Sequence, residues 1–155
     1  MKLSSSTRYA IRILLELSGA GRPLSAAVIS EKTGITPRAV ENIHAVLRRC
    51  KITFGTVGAK GGIELIRPLA EISLGTLVQL FDNGVEFAVC CGDKSNDCPN
   101  QESCGIRAVW RDVSARIQRE LDAVSLEDIV RGYPEGSFGH IAGPGKIIIP
   151  VMKKA

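Results

Sequence analysis

Apolar side chains recur at helical spacing through the first fifty residues and are interrupted by turn-forming residues. This pattern predicts a first helix over residues 6–20, which Gly21 helps to end. Ser25 is placed to cap a short second helix, and Gly34 to end it in a left-handed conformation. Thr36 followed by Pro37 predicts the start of a third helix, because the first helical position does not use its N–H. Three helices joined by short turns are typical of a helix-turn-helix.

The third predicted helix, residues 37–49, has an apolar face and a polar face. The apolar stripe consists of Val40, Ile43 and Leu47. The polar face carries groups that can hydrogen-bond base edges or neutralise phosphates. The residues expected at bases are Arg38, Glu41 and Asn42, and those expected at phosphates are Arg48 and Arg49. His44 lies at the edge of the apolar stripe, where a packing role is favoured over metal ligation.

Two segments rich in β-branched residues, 52–57 and 63–66, predict the strands of a hairpin. Residues 58–62 between them are mostly glycine around a central Lys60. Such a tip lets the backbone approach a phosphate or the minor groove closely, although a plain hairpin has the same turn requirement. Following a basic helix-turn-helix, the hairpin is interpreted as a wing. The predicted fold is therefore mainly α with a small β-hairpin wing, and residues 1–68 form a winged helix-turn-helix.

A sensor and assembly region is predicted over residues 69–130. Ser73 is expected to cap a fourth helix that ends at Asn83. A longer helix over residues 102–124 carries a continuous apolar stripe, which in so small a chain is expected to pack on a second copy in a two-fold homodimer. The expected interface residues are Ile106, Val109, Val113, Ile117 and Leu121. Ser125 and Asp128 predict a capping box for a short last helix, and residues 131–155 form a tail without assigned structure.

The net charge of +4 is unevenly distributed along the 155 residues. Residues 1–68 carry 11 Lys and Arg against 4 Asp and Glu, which gives +7; residues 69–155 carry 9 against 12, which gives −3. A basic N-terminal part indicates a polyanion-binding module. No apolar run approaches the about 20 residues that cross a bilayer. The first residues also lack the pattern of a secretory signal, so a cytoplasmic location without membrane contact is expected.

Four of the five cysteines lie between Cys90 and Cys104. An odd number of cysteines in a cytosolic chain argues against a disulfide framework. Cys91, Cys98 and Cys104 are separated by six and five residues, and three thiolates on one loop can converge on a metal or an iron–sulfur cluster. The spacing differs from the close Cys-x-x-Cys pairs of structural zinc. Cys90 is expected to be dispensable, and Cys50 to be a small buried side chain.

These features resemble the IscR/NsrR-type regulators, the Rrf family of winged-helix transcription factors. The resemblance covers roughly residues 1–130 and rests on motifs in a fixed order. They are Met1-Lys2-Leu3-Ser4 leading into Arg8-Tyr9-Ala10, the wing residues 58–62, the three cysteines, Trp110 and Ser125-Leu126. The resemblance implies a homodimer centred on the long helix. It also implies a 2Fe-2S or 4Fe-4S cluster on Cys91, Cys98 and Cys104 that senses iron, redox state or nitric oxide and controls binding to a pseudo-palindromic operator.

The sequence departs from this family at the fourth cluster ligand. Such proteins use a histidine three residues after the last cysteine, or an acid or histidine from the first helix, and here these positions hold Arg107, Arg8 and Arg12. Guanidinium stays protonated and offers no lone pair to iron. The fourth ligand therefore stays open. The candidates are Cys90, Asp93, Asp97, Glu102, a small external thiol and an unliganded iron.

Three other function classes compete with a cluster-controlled regulator. A small redox carrier would leave the basic helix-turn-helix and the wing without a purpose. An enzyme is disfavoured because the sequence offers no Ser-His-Asp set, no phosphate-binding P-loop and no paired carboxylates with a plausible pocket. A cluster-free regulator of the same fold, using thiol oxidation or zinc, remains the alternative.

Overall fold

A computed structural model describes residues 2–58, 61–88 and 103–132. The chain is mainly helical with one antiparallel hairpin, as the sequence predicts. The elements in order are α1 Ser5–Ala20, α2 Ala26–Thr33, α3 Pro37–Arg49, β1 Thr53–Thr56, β2 Gly62–Leu65, a 3₁₀ turn Leu69–Glu71, α4 Leu74–Asp82, α5 Gly105–Asp122 and α6 Leu126–Val130. The wing-tip Lys60, the cysteines Cys90, Cys91 and Cys98, and the tail from residue 133 lie outside the described residues.

Each of the first three helices begins at a polar N-cap residue. The hydroxyl of Ser4 accepts a hydrogen bond from the backbone of Thr7, and Ser25 and Thr36 do the same for α2 and α3. Gly34 ends α2 with a φ of 68°, which is inexpensive only for a residue without Cβ. The predicted caps of the helix-turn-helix are therefore confirmed, and α1 begins one residue earlier than the periodicity indicated.

The first hairpin strand is shorter than the sequence predicts, the second begins one residue earlier than predicted, and a third segment joins them. Thr53 pairs with Leu65 and Thr56 with Gly62 across the two strands. Leu24, before α2, exchanges backbone hydrogen bonds of 2.9 and 2.8 Å with Ile63. A Cβ on Gly62 would lie 2.7 Å from the carbonyl carbon of Leu24, so glycine permits this close approach. The hairpin is thus fixed to the helical core along one edge.

One hydrophobic cluster joins the N-terminal helices to elements that follow residue 68. Its fully buried members include Ile13, Leu14, Leu47, Ile72, Leu77 and Leu126. The predicted boundary at residue 68 therefore runs between segments whose side chains pack together, and the division into two domains stays a prediction. Helix α6 reaches this core through Leu126, which has no exposed surface.

Helix α5 packs on α4 but buries none of its own residues fully. It begins at Gly105, later than the predicted residue 102, and its N-cap is Cys104. A methyl group on Gly75 of α4 would collide with the carboxylate of Asp122 in α5. The glycine therefore permits the close approach of the two helices. None of the helices in the described ranges has the length and apolar character required to cross a membrane.

Candidate nucleic-acid interface and cysteine region

The polar face of α3 is open to solvent along its whole length. The five predicted contact residues are all exposed: Arg38, Glu41, Asn42, Arg48 and Arg49. The opposite face is anchored by Val40 and Leu47, both fully buried. Three ion pairs occur among the described residues. One joins α1 to α2, one lies within α5, and one lies at the end of α6, so none of the three uses a cation of α3. The positive charge of this face is therefore available to a polyanion.

The wing lies directly against α3 through His44. The imidazole Nδ1 of His44 is 3.0 Å from the hydroxyl oxygen of Thr53, at the start of β1. Burial and, to a smaller extent, the charge of Arg48 lower the pKa of His44 below its ordinary 6.5. The imidazole is therefore neutral at pH 7 and can pack against the strand. The sequence placed His44 at the edge of the apolar stripe but gave no signal for its partner.

The residues that lead from β1 into the wing tip are exposed. Val57 is fully exposed, and Gly58 takes a φ of 124°, which disfavours any side chain. The N–H of Gly61 donates to the carbonyl of Gly58 at 2.9 Å and closes the turn. Lys60 lies outside the described residues, so its expected phosphate contact stays a prediction.

Of the three predicted cluster ligands, the described residues include Cys104 alone. Its side chain is half-buried, forms no disulfide and makes no capping hydrogen bond at the start of α5. In the described part of the chain, no three acidic, cysteine or histidine side chains gather into a metal-binding group. Cys50 is half-buried rather than fully buried, at the end of α3.

An aromatic pair flanks the cysteine-rich segment. Phe87 precedes this segment and Trp110 follows it, and their rings stack with centroids 5.9 Å apart and planes inclined by 25°. The pair links α5 to the chain that leaves α4. The apolar stripe of the long helix and the family resemblance both included Trp110, but nothing in the sequence indicated its aromatic partner.

A carboxylate joins the end of α4 to the start of α1. Asp82 accepts hydrogen bonds from the backbone N–H of Ser4 at 3.2 and 3.3 Å and from the hydroxyl of Thr7 at 2.6 Å. Burial raises the pKa of Asp82, but the hydrogen bonds from Thr7 and Ser4 outweigh it and hold that pKa below its ordinary value. The sequence carries no signal for this contact, because Asp82 and Ser4 are 78 positions apart and belong to no periodic pattern.

The arginines at the family's fourth-ligand positions sit in different environments. Arg8 and Arg12 are exposed on α1, and the guanidinium of Arg8 donates to the hydroxyl of Ser5 at 3.1 Å. The backbone N–H of Arg107 donates to the carbonyl of Cys104 at 3.2 Å within the first turn of α5. None of these three side chains supplies an iron ligand.

The residues that follow α5 are hydrogen-bonded to the start of α4 and to the segment before it. The N–H of Leu74 donates to the carbonyl of Val124 at 2.9 Å, and the N–H of Leu126 donates to the carbonyl of Ile72 at 2.8 Å. The predicted capping box of α6 is confirmed, since Ser125 and Asp128 each accept from the backbone of the other. The chain that follows α5 is therefore held against the segment between the wing and α4.

The apolar stripe of α5 is exposed near the start of the helix and half-buried toward its end. Ile106 and Val109 are 54% and 51% exposed. Val113, Ile117 and Leu121 are half-buried, where α5 lies closer to α4. The exposed fraction is greatest near the cysteine-rich segment.

Comparison with known proteins gives one consistent family. The family model described as Rrf2, iron-dependent transcriptional regulator, matches residues 3–132. The chain is 30% identical to Protein rrf2 of Nitratidesulfovibrio vulgaris, covering 84% of this chain and 88% of that protein. It is 31% identical to the HTH-type transcriptional regulator IscR of Vibrio atlanticus, covering 84% and 76%. The solved structure of CymR, the global cysteine regulator of B. subtilis, shares the fold with a TM-score of 0.64 at 21% identity, covering 84% and 97%.

Proposed function

The chain belongs to the Rrf2 family of transcriptional regulators, and from this premise we propose that an iron–sulfur cluster on Cys91, Cys98 and Cys104 controls its binding to DNA. Its relatives are named transcriptional regulators, which supports a DNA-binding regulator rather than an enzyme. The observation that carries the cluster proposal is the position of Cys104. This thiol is the N-cap of α5, and the chain just after that helix is hydrogen-bonded to Ile72 and Leu74, in the segment that follows the wing.

The residues in this region fit a thiolate-held cluster. Cys104 is half-buried and forms no disulfide, so its thiol is free to bind a metal. The stacked rings of Phe87 and Trp110 would supply an apolar wall that limits solvent access on one side. When bound, such a cluster would make the protein sensitive to redox state and to oxygen, because both change the cluster that the thiolates hold. Whether it is a 2Fe-2S or a 4Fe-4S cluster, and which group is its fourth ligand, stay open.

Coupling from the cysteines to DNA would run through α5. A change at Cys104 would move or loosen the first turn of this helix, while hydrogen bonds of Val124 and Leu126 hold the chain after its last turn against the segment that follows the wing. Gly75 lets α4 pack tightly on the same helix. Tightly packed helices shift as units rather than deform continuously, so α5 is suited to carry the signal.

Operator binding would require two copies of the chain. The apolar stripe on α5, exposed at Ile106 and Val109, is a surface that a second α5 can cover by two-fold symmetry. Two copies present two α3 helices, which suits a pseudo-palindromic site read in adjacent major grooves. Arg38, Glu41 and Asn42 would contact base edges. Arg48, Arg49 and Lys60 would neutralise phosphates.

Anaerobic reconstitution of the full chain with iron and sulfide tests the cluster. We expect a brown protein with thiolate-to-iron charge-transfer absorption, and loss of that absorption in Cys91→Ala, Cys98→Ala and Cys104→Ala. Cys90→Ala is expected to keep the cluster. Cys50→Ala is the matched control, because it removes a half-buried thiol at the end of α3.

The possible outcomes distinguish a wrong assignment of the cysteine ligands from a wrong proposal of cluster control. If Cys90→Ala loses the absorption and Cys91→Ala keeps it, the ligand register is displaced by one residue. If the wild type stays colourless while retaining DNA binding, cluster control is wrong and the regulator itself is retained.

A cluster-free regulator is the second candidate, favoured by the arginines at all three family ligand positions. Arg8, Arg12 and Arg107 cannot ligate iron, so at least one ligand must come from elsewhere. The fold is shared with a regulator described as the global cysteine regulator of B. subtilis. A colourless protein whose DNA affinity changes on thiol oxidation or zinc addition would support this candidate.

A further inference from the structure

His44 lies between α3 and the wing at a point where β1 carries little side-chain bulk. Its Nδ1 is 3.0 Å from the hydroxyl of Thr53, a residue with 1% of its surface exposed. Its Nε2 lies 2.8 Å from the position that a Cβ on Gly55 would occupy. Residues 53 and 55 point to the same face of the strand, because side chains alternate along it. One imidazole therefore satisfies a buried hydroxyl and fills the space over a glycine.

We propose that His44 is a positioning residue that fixes the wing against α3, so that helix and wing meet DNA as one rigid unit. The inference rests on DNA binding and is independent of the cluster and of the dimer. All three nearest atoms to the missing Cβ of Gly55 belong to His44, so this imidazole is the contact that sets the separation of helix and strand there. Loss of the imidazole would leave the buried hydroxyl of Thr53 without a hydrogen-bond partner and would destabilise the fold. The contact therefore depends on hydrogen-bond geometry as well as on side-chain bulk.

The two parts of the interface should respond differently when this contact is lost. The bases are expected to be read by the exposed face of α3, whose anchoring residues Val40 and Leu47 do not involve His44. The wing is expected to contact the sugar-phosphate backbone, so its displacement reduces the number of neutralised phosphates. Loss of the His44 contact should therefore lower affinity and flatten the salt dependence while leaving base preference unchanged.

A cycle of His44→Ala and Gly55→Ala tests the contact in the full-length protein. Gly55→Ala places a methyl group on the imidazole, and His44→Ala removes the imidazole. We expect each single change to weaken binding by about five- to tenfold and to reduce the salt slope by about one counterion. In the His44→Ala background, Gly55→Ala should cost nothing further, because the atom that the methyl group strikes is gone.

The DNA probe is a duplex recovered with the wild type from a randomised library, and a scrambled duplex of equal length measures non-specific binding. Gly19→Ala is the matched control, since nothing lies within 4 Å of a Cβ at that position. Hydroxyl-radical footprinting locates the lost protection, which should lie at the wing and not at the bases read by α3. Unfolding midpoints of all variants show that they are folded.

Conservative variants separate the two roles of the ring. His44→Phe keeps the bulk but leaves the hydroxyl of Thr53 unpaired, and Thr53→Val in that background removes the unpaired group and should restore binding. His44→Asn places an amide near the position of Nδ1 and should retain part of the affinity. A purely structural role would move stability in these variants without moving the salt slope or the wing footprint.

Amide hydrogen exchange of the protein without DNA gives a readout that does not depend on the regulator proposal. His44→Ala should speed exchange in β1 and β2 while leaving α1 and α4 unchanged. Unchanged exchange in the hairpin overturns the positioning role, even if DNA binding itself is demonstrated. Equal costs of Gly55→Ala in the two backgrounds overturn it as well. A wild type that recovers no duplex, yet shows the expected exchange, contradicts the DNA-binding function and not the contact.

Discussion

Replacing Asp82 by Asn should destabilise the fold by about 2 kcal/mol through the start of α1. The carboxylate accepts from the N–H of Ser4 and from the hydroxyl of Thr7, which is fully buried. The amide of asparagine keeps one acceptor oxygen and presents an N–H₂ group where a donor already points. One of these hydrogen bonds is therefore lost, and the favourable placement of negative charge at a helix N-terminus disappears.

The magnitude follows from the partial exposure of the pair. A hydrogen bond to a charged group contributes about 1.5–3 kcal/mol, and a charge at a helix terminus about 0.3–1 kcal/mol. Asp82 is only half-buried, so solvent screening places the sum near the lower end of these ranges. The matched control is Asp112→Asn, which removes an exposed i,i+4 ion pair with Arg116 that contributes about 0.3–0.5 kcal/mol.

Urea unfolding at fixed protein concentration measures both changes, with Trp110 fluorescence and circular dichroism as probes. The hydrogen bonds hold the pKa of Asp82 below 3.8, so its stabilisation is complete above that pH and is lost as the pH falls through the lowered value. The difference between wild type and Asp82→Asn should therefore be constant near neutrality and shrink in acid. A loss no larger than that of Asp112→Asn, or one that does not shrink in acid, would refute this account of the contact.

Three further predictions concern assembly, DNA and pH. Ile117→Asp would bury an unpaired carboxylate in the proposed interface and should give monomers with weakened DNA binding; an unchanged dimer on a sizing column would place the interface elsewhere. Asn42→Ala should cost about 1–3 kcal/mol at one base pair, whereas Lys60→Ala should weaken all duplexes and flatten the salt slope by about one; equal salt slopes for wild type and Lys60→Ala contradict the phosphate contact. Burial and the charge of Arg48 lower the pKa of His44, so its stabilisation is present above pH 6.5 and is lost as the pH falls below it. Urea titrations should show a smaller acid loss for His44→Phe than for wild type, and identical losses would exclude His44 as the source.

Local chemistry was predictable wherever one short segment contains both partners. The caps at Ser25, Thr36 and Ser125 were identified correctly, because a capping hydrogen bond joins residues two or three positions apart. The helix ends at Gly34 and Asn83 were also identified, and the left-handed conformation was predicted for Gly34. Helix and strand ends were off by one to three residues, since periodicity fixes a face better than an end.

The sequence by itself determined the order of helices and hairpin, the basic polar face of α3 and the clustering of cysteines before α5. These features are local, and periodicity or spacing expresses them directly. Only the tertiary structure decided which distant groups meet: Leu24 with Ile63, Asp82 with the start of α1, and Phe87 with Trp110. It also decided that α6 shares the core of the first three helices. Such contacts depend on how helices pack in three dimensions, and a linear pattern carries no record of that packing.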